Sequence, residues 1–258
     1  MAALFHPSGG LFIPDDLTRS PWGPDSLHGG PVSALLAREI EAVPAGSEMQ
    51  VTRLTVDLIR PVPMRPLRVS ARLERPGRRV QIVVASLHDG DTLVASATAL
   101  RIRIRPVLLP PLPEPPSPPS SPNGPPAPAP WDFGYVAYHR DAVDLINARG
   151  SMGEPGPAAV WTRLRQPIVP GEDPTPLQRV AAAADFGNGV SATLDGAVFL
   201  FMNPDVTTHL ARYPEGEWIC IESSVQAEAL GVGLVSTTLY DSRGRIGAAH
   251  QSQVLEAR

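Results

Sequence analysis

The sequence predicts an α+β protein built from two tandem copies of one unit, each an antiparallel sheet with a single helix laid across it. Three observations carry that expectation. First, the second half of the 258-residue chain repeats the first at a constant, ungapped offset: Arg60 falls on Arg212, Val80 on Val232, Val83 on Val235, Leu87 on Leu239 and Asp89 on Asp241, each 152 positions apart. Similar residues lie between them, Val69 over Ile221, Ile82 over Leu234 and Val94 over Ile246. One offset kept through a run of strand-like segments is hard to reach by chance, because unrelated strands need different turn lengths to close. Second, in each half a helical pattern precedes strand-like runs joined by short turns. Third, a proline-dense segment separates the halves.

Residues 31–42 carry apolar side chains at helical spacing and open with Pro31, a residue suited to a first helical position. Strand-like runs follow at 50–59, 67–75, 79–89 and 92–104, separated by the turn chemistry of Pro61-Val62-Pro63, Arg75-Pro76-Gly77 and Asp89-Gly90-Asp91. Short connections make these strands antiparallel, and the apolar face of such a sheet is covered by one long helix. Residues 106–130 contain 13 prolines. They predict an extended, polyproline-like tether of at most about 3.1 Å per residue, a flexible crossover rather than a ligand for an SH3-type partner. The second copy begins near Trp131, with a strand at 159–165 and a helix at 176–186 opened by Thr175-Pro176. Its further strands fall at 196–202, 206–212, 218–230, 231–240 and 245–255. The expected division is therefore an N-terminal unit at 1–105, a linker at 106–130 and a C-terminal unit at 131–258.

Composition excludes several classes. With 43% hydrophobic residues each unit can bury a core, and the net charge is -4. All 22 basic residues are arginine, scattered among acids, so nucleic acid is not an expected partner, although Arg-lined edges can still grip a phosphorylated small molecule. The single cysteine, Cys220, rules out an intramolecular disulfide and a cysteine metal cluster, and its apolar neighbours mark it as a small core residue. No basic-then-apolar leader and no run long enough to span a bilayer occur, so a cytoplasmic protein without a membrane span is expected. The absence of a G-x-S-x-G elbow, a phosphate-binding glycine loop and His/Glu metal spacing argues against serine hydrolases, nucleotide enzymes and metalloenzymes; no cofactor or metal is expected.

The first half carries Trp22-Gly23, Leu27-His28-Gly29-Gly30-Pro31 running into the helix, and Arg60-Pro61. The second carries Ala184-Asp185, Asn203-Pro204-Asp205-Val206 with Arg212, Glu217-Trp218, and the last strand from Tyr240-Asp241 through Gly244 to Gln251-Ser252. On these motifs the layout resembles the double hotdog fold of the type II acyl-CoA thioesterases, in the form common among actinobacterial thioesterase-like proteins. The resemblance implies an acyl-CoA substrate, hydrolysis of a thioester, and assembly of the chain into a homodimer or tetramer. In that family a helix Asp, a strand Thr or Ser and a last-strand Gln hold the attacking water. Carried over, these are Asp185, Asn203 and Gln251 as catalytic residues; Asn203 departs from the hydroxyl, and Gln253 on the same strand face competes with Gln251. An enoyl-CoA hydratase of the same architecture and a non-catalytic acyl-CoA binder are the other readings.

These residue types suit the chemistry. Hydrolysis without a Ser or Cys nucleophile needs a base to take a proton from water and donors for the developing oxyanion. Asp185 follows four alanines on a helix expected to face the sheet, where desolvation would raise its pKa toward neutrality and make it a base; capping of the Gly187-Asn188-Gly189 turn is the alternative role. The offset sets Ser33 opposite Asp185 and Ala99 opposite Gln251, so only the second copy carries the polar set. His28, Gly29 and Gly30 precede a helix N-terminus, where free N–H groups bind anions or a carbonyl oxygen; the two glycines equally permit close packing. Together with Asp205, which also suits an Asn-Pro-Asp turn, they are the expected substrate-binding residues. His209 and His250 are expected to be packing residues.

Overall fold

Apolar residues alternate with polar ones from Met49 onward, and this produces strands whose inward side chains form one face. The computed structural model describes residues 2–127, 132, 134–152, 154–191, 194–196 and 198–258. In chain order the elements are β1 (Phe5–Ser8), β2 (Leu11–Pro14), β3 (Arg19–Ser20), β4 (Gly23–Leu27), α1 (Gly29–Ala42), β5 (Met49–Leu58), β6 (Arg68–Arg75), β7 (Val80–Asp89) and β8 (Thr92–Arg103). After the linker come a π turn (Tyr138–Ala142), β9 (Val143–Arg149), β10 (Ala158–Leu164), α2 (Pro176–Ala184), α3 (Gly187–Val190), β11 (Phe199–Met202), β12 (Asp205–Leu210), β13 (Ile219–Glu228), β14 (Val232–Asp241) and β15 (Gly244–Ala257). The fold is a tandem pair of hotdog units, as the family resemblance implied. The short strands β1 to β4 were not legible in the sequence, since runs of two to five residues leave too little period to read, and the seven-residue strand β9 was not anticipated either.

Ten of the strands form one antiparallel sheet in the order β6-β7-β8-β5-β12-β15-β14-β13-β10-β9, with β11 added beside β15. The two halves meet where β5 pairs β12, and the register there sets Thr55 against Thr207, Arg53 against His209 and Asp57 against Asp205. Thr55 and Thr207 are repeat equivalents, and their hydroxyls lie 3.1 Å apart. A local two-fold relation between the copies therefore passes through this pair. Strand β7 maps onto β14 end to end at the same offset, because each hairpin keeps the same turn length and the ladder carries register across it.

The helices do not keep that offset. Pro31 and Pro176 are 145 positions apart, and α1 starts two residues before Pro31, with His28 as its N-cap. Ser33 lies buried in the second turn of α1 whereas Asp185 caps the C-terminus of α2, so the pairing of Ser33 with Asp185 by offset does not hold in space. Helix α2 is also shorter than the expected 176–186. The two helices run antiparallel, each N-cap against the other's C-terminal end: Thr175 Oγ1 donates to Glu41 Oε2 at 2.7 Å, and His28 meets Asp185. Ala181, Ala182, Ala183 and Ala184 are all buried, and side chains this small let the helices approach closely. Beneath α1 the inward residues of β8 are Ala95, Ala97 and Ala99, which make room for the helix against the sheet.

The proline-rich segment is not the free crossover its composition suggested. Trp161 Nε1 donates to Ser120 O at 3.1 Å, Arg245 N–H to Pro116 O at 3.0 Å and Ala127 N–H to Leu145 O at 2.8 Å, so its described part rests against β9, β10 and the start of β15. Proline removes donors but leaves carbonyls, and these are what the segment offers to its neighbours. Trp131, where the second copy was placed, lies outside the described residues. Cys220 is buried, as expected of a core residue, and burial pushes its thiol up to about 12. Among the described residues no helix is long and apolar enough to cross a membrane.

Candidate functional site

The antiparallel helix pair creates the site. Leu27 N–H donates to Val62 O and His28 N–H to Thr18 O, both at 2.8 Å, which pins the chain just before α1 turns into the core. The two glycines then allow an approach that no other residue would. A Cβ at Gly29 would stand 2.6 Å from Asp185 Oδ1, and one at Gly30 would stand 2.7 Å from Ala182 O. Of the two roles open to His28-Gly29-Gly30, close packing is directly visible: it brings the N-terminus of α1 onto the end of α2.

Asp185 is consequently almost wholly buried, its side chain 5% exposed. Asn203 Nδ2 donates to its Oδ1 at 2.8 Å, and His28 Nδ1 stands 2.8 Å from its Oδ2. The same Nδ1 lies 3.0 Å from Gly30 N, but one ring nitrogen cannot both donate and accept. Contact with a carboxylate assigns the hydrogen to Nδ1, and the Gly30 N–H then also serves the carboxylate. The imidazole is tilted against two aromatic rings, its centroid 4.9 Å from that of Tyr138 and 5.2 Å from that of Phe186.

These contacts overturn the expected direction of the Asp185 titration. Burial is the largest single influence and pushes the carboxyl up, yet the neighbouring His28, the Asn203 amide and the Gly30 N–H together outweigh it and hold the group below its usual range. Asp185 is therefore an ionised acceptor at neutral pH, not a carboxyl poised near 7. The Tyr138 hydroxyl, by contrast, is pushed well above its usual range, first by burial and then by the Asp185 charge.

Asp185, Asn203, His28 and Gly29 share the wall of a cavity of about 460 Å³, with Trp22, Leu58, Val62, Phe186 and Phe201 among its apolar lining. Trp22 and Phe201 meet edge to face with centroids 5.3 Å apart. Gln251 is close to Asp185 but turned to its backbone: Nε2 donates to Ala184 O at 3.1 Å and Asp185 O at 3.3 Å, and Oε1 is buried without a partner among the described residues. Gln253 instead donates to Asn188 Oδ1, so the two glutamines on one strand face have different partners. Asp205 is not on the cavity wall; it accepts from Ser252 N–H at 2.9 Å on the sheet. His209 and His250 lie exposed on strands away from the cavity.

Sequence reasoning missed two parts of this arrangement. Asn188, in the Gly-Asn-Gly segment taken as a turn, donates to Phe201 O at 2.9 Å and so ties α3 to β11 beside Asn203. Tyr138 and Phe186 close around His28, and only the adjacency of Phe186 to Asp185 could have signalled it.

The comparisons agree with this architecture. The family model of an acyl-CoA thioesterase N-terminal domain matches residues 18–102, and that of an acyl-CoA thioesterase C-terminal domain matches residues 110–255. Among solved structures, a hot dog fold protein of unknown function from Alicyclobacillus acidocaldarius is similar with a TM-score of 0.72, at 16% identity over 98% of this chain and 96% of that one. A tesB protein from Mycobacterium avium subs paratuberculosis gives 0.66, at 15% identity over 98% and 96%. An acyl-CoA thioesterase II, TesB2, from Mycobacterium marinum gives 0.64, at 16% identity over 90% of each. At such identities these structures speak for the fold alone. No curated protein matches the chain in sequence.

Proposed function

Since the chain belongs to the acyl-CoA thioesterase family, we propose that it hydrolyses a fatty acyl-CoA by adding water to the thioester carbonyl at Asp185. The observation that carries this reading is the buried, ionised Asp185 on the cavity wall, fixed by Asn203 and His28 at 2.8 Å each. A carboxylate has about four acceptor directions, and three donors leave one for a water. The water oxygen bonds to the thioester carbon as its proton passes to Asp185. The tetrahedral oxyanion then collapses, the carbon–sulfur bond breaks, and the thiolate leaves with that proton, giving a fatty acid and coenzyme A. Because Asp185 is held below the usual range, its main contribution is to orient the water and to take the proton as addition makes it acidic.

At the position to which the family resemblance assigns a hydroxyl, Asn203 acts as a donor that fixes the carboxylate. Gln251 acts one step back, holding the end of α2 through its carbonyls. His28, Gly29 and Gly30 form the wall against which the thioester lies, whereas Asp205 holds the strand edge beside it. We place the unit boundaries at 105 and 131, the protein in the cytoplasm and the chain in a homodimer or tetramer. The paired imidazole and carboxylate also suit water addition to an enoyl-CoA. A thiol-release assay with saturated acyl-CoA substrates from acetyl to palmitoyl, run beside crotonyl-CoA and the Asp185→Asn variant, decides between them. Thiol release that the variant loses supports the thioesterase; hydration of crotonyl-CoA without thiol release supports a hydratase; binding without either reaction leaves an acyl-CoA carrier.

A further inference from the structure

Arg60 is the residue at which the two copies part company. Its repeat equivalent, Arg212, makes a two-pronged ion pair with the fully buried Asp241 at 2.5 and 2.6 Å. The first copy keeps both residue types, Arg60 and Asp89, but not the pair: Asp89 faces Arg65 at 3.4 Å instead. The cause is a slip of one residue. In the second half Ala211 N–H donates to Ile246 O at 2.9 Å, whereas in the first half it is Arg60 itself that donates to Val94 O, the equivalent carbonyl, at 3.1 Å. Shifting an extended chain by one residue sends its side chain to the opposite side. Arg60 therefore leaves Asp89 and comes to the cavity, where it is exposed and is the only arginine on the wall among the described residues. It has no ion-pair partner among the described residues.

We propose that Arg60 binds a phosphate on the carrier arm of the substrate. The inference rests on the thioester lying at Asp185. A pantetheine arm has the reach of four to five extended residues, about 15 Å, so the phosphate of such a substrate falls at the cavity mouth and not on its floor. Leu58 N–H bonds Pro204 O beside Asn203, which places Arg60 two residues further along the wall from the catalytic end. A guanidinium offers a planar fork matched to phosphate oxygens, and one with no carboxylate to satisfy is free to make that contact. Coenzyme A and the phosphopantetheine of an acyl carrier protein share this group.

The test compares Arg60→Gln and Arg60→Lys with the unchanged chain. Calorimetry should show coenzyme A binding weakened about tenfold by Arg60→Gln and less by Arg60→Lys, with the difference shrinking as salt rises. In turnover, KM for acyl-CoA should rise by a similar factor while kcat stays within about twofold, and an acyl-pantetheine without phosphate should be unaffected. A parallel rise with acyl carrier protein supports the proposal and assigns the phosphate next to the pantetheine; a rise with acyl-CoA alone supports it and assigns the nucleotide phosphates. Equal losses on acyl-pantetheine, or unchanged coenzyme A affinity in Arg60→Gln, overturn it. Since binding is measured without turnover, coenzyme A held through Arg60 by a chain that releases no thiol would sink the thioesterase reading and leave this one standing.

Discussion

Replacing Gly29 by alanine sets two effects of opposite sign against each other. Gly29 opens α1, and in an ordinary helix glycine to alanine stabilises by up to about 1 kcal/mol through backbone entropy. Here the new Cβ would stand 2.6 Å from Asp185 Oδ1, 2.7 Å from Oδ2 and 2.8 Å from Cγ. Ordinary contact begins near 3.5 Å, so the carboxylate has to retreat by about 0.9 Å. The Asn203 and His28 contacts, both 2.8 Å now, would then stretch beyond hydrogen-bond range. Loss of a hydrogen bond to a charged group costs about 1.5–3 kcal/mol and overpacking about 1–3 kcal/mol, both larger than the helix gain. The expected net destabilisation of about 3 kcal/mol lowers Tm by roughly 6–12 °C in a chain of this size. Displacement of a catalytic group by about 1 Å lowers turnover about 100-fold. Thermal unfolding and thiol release on the same preparation check both. A Gly29→Ala protein with a raised Tm and unchanged turnover would refute the placement of Asp185 against α1.

Three further outcomes follow from the geometry. Asn203→Thr should retain most of the activity, because a hydroxyl can still donate to the Asp185 carboxylate, whereas Asn203→Ala should lose about 10- to 100-fold in kcat, measured by steady-state thiol release. The carboxyl carbon of Asp185, followed by NMR, should show no titration step above about pH 4, since its pKa lies below the ordinary value; a step near neutrality would mean that burial outweighs the three donors. Arg212→Leu should destabilise the fold by about 3 kcal/mol in urea unfolding by stranding the buried Asp241. Asp241 is also held below its usual range, where burial opposes but the Arg212, Glu215 N–H and Arg243 N–H bonds prevail. Its contribution to stability is thus present above the ordinary carboxylate pKa and lost as pH falls through the folded one, so the Arg212→Leu penalty should shrink below about pH 4.

Much of this architecture is local information, and that is why the sequence alone determined it. The alternation from Val80 to Asp89 and its copy from Val232 to Asp241 specify strands, and the turns between them specify antiparallel neighbours, because strand register propagates only through a hairpin of constant length. The run Ala181 to Asp185 likewise marked a carboxylate too deep for solvent. Tertiary structure alone decided what that carboxylate is. Its partner His28 lies 157 positions away in the sequence, and they meet because the helices run antiparallel, N-cap to C-terminal end, an arrangement no local pattern encodes. The sign of the Asp185 shift depends on three donors from two distant segments, His28 and Gly30 at the start of α1 and Asn203 before β12, so burial read from alanines pointed the wrong way. The turn of Arg60 toward the cavity is a failure of the repeat at one residue, where a one-position slip leaves the residue type unchanged and moves its side chain to another face, whereas the helices depart from the repeat by seven positions between Pro31 and Pro176.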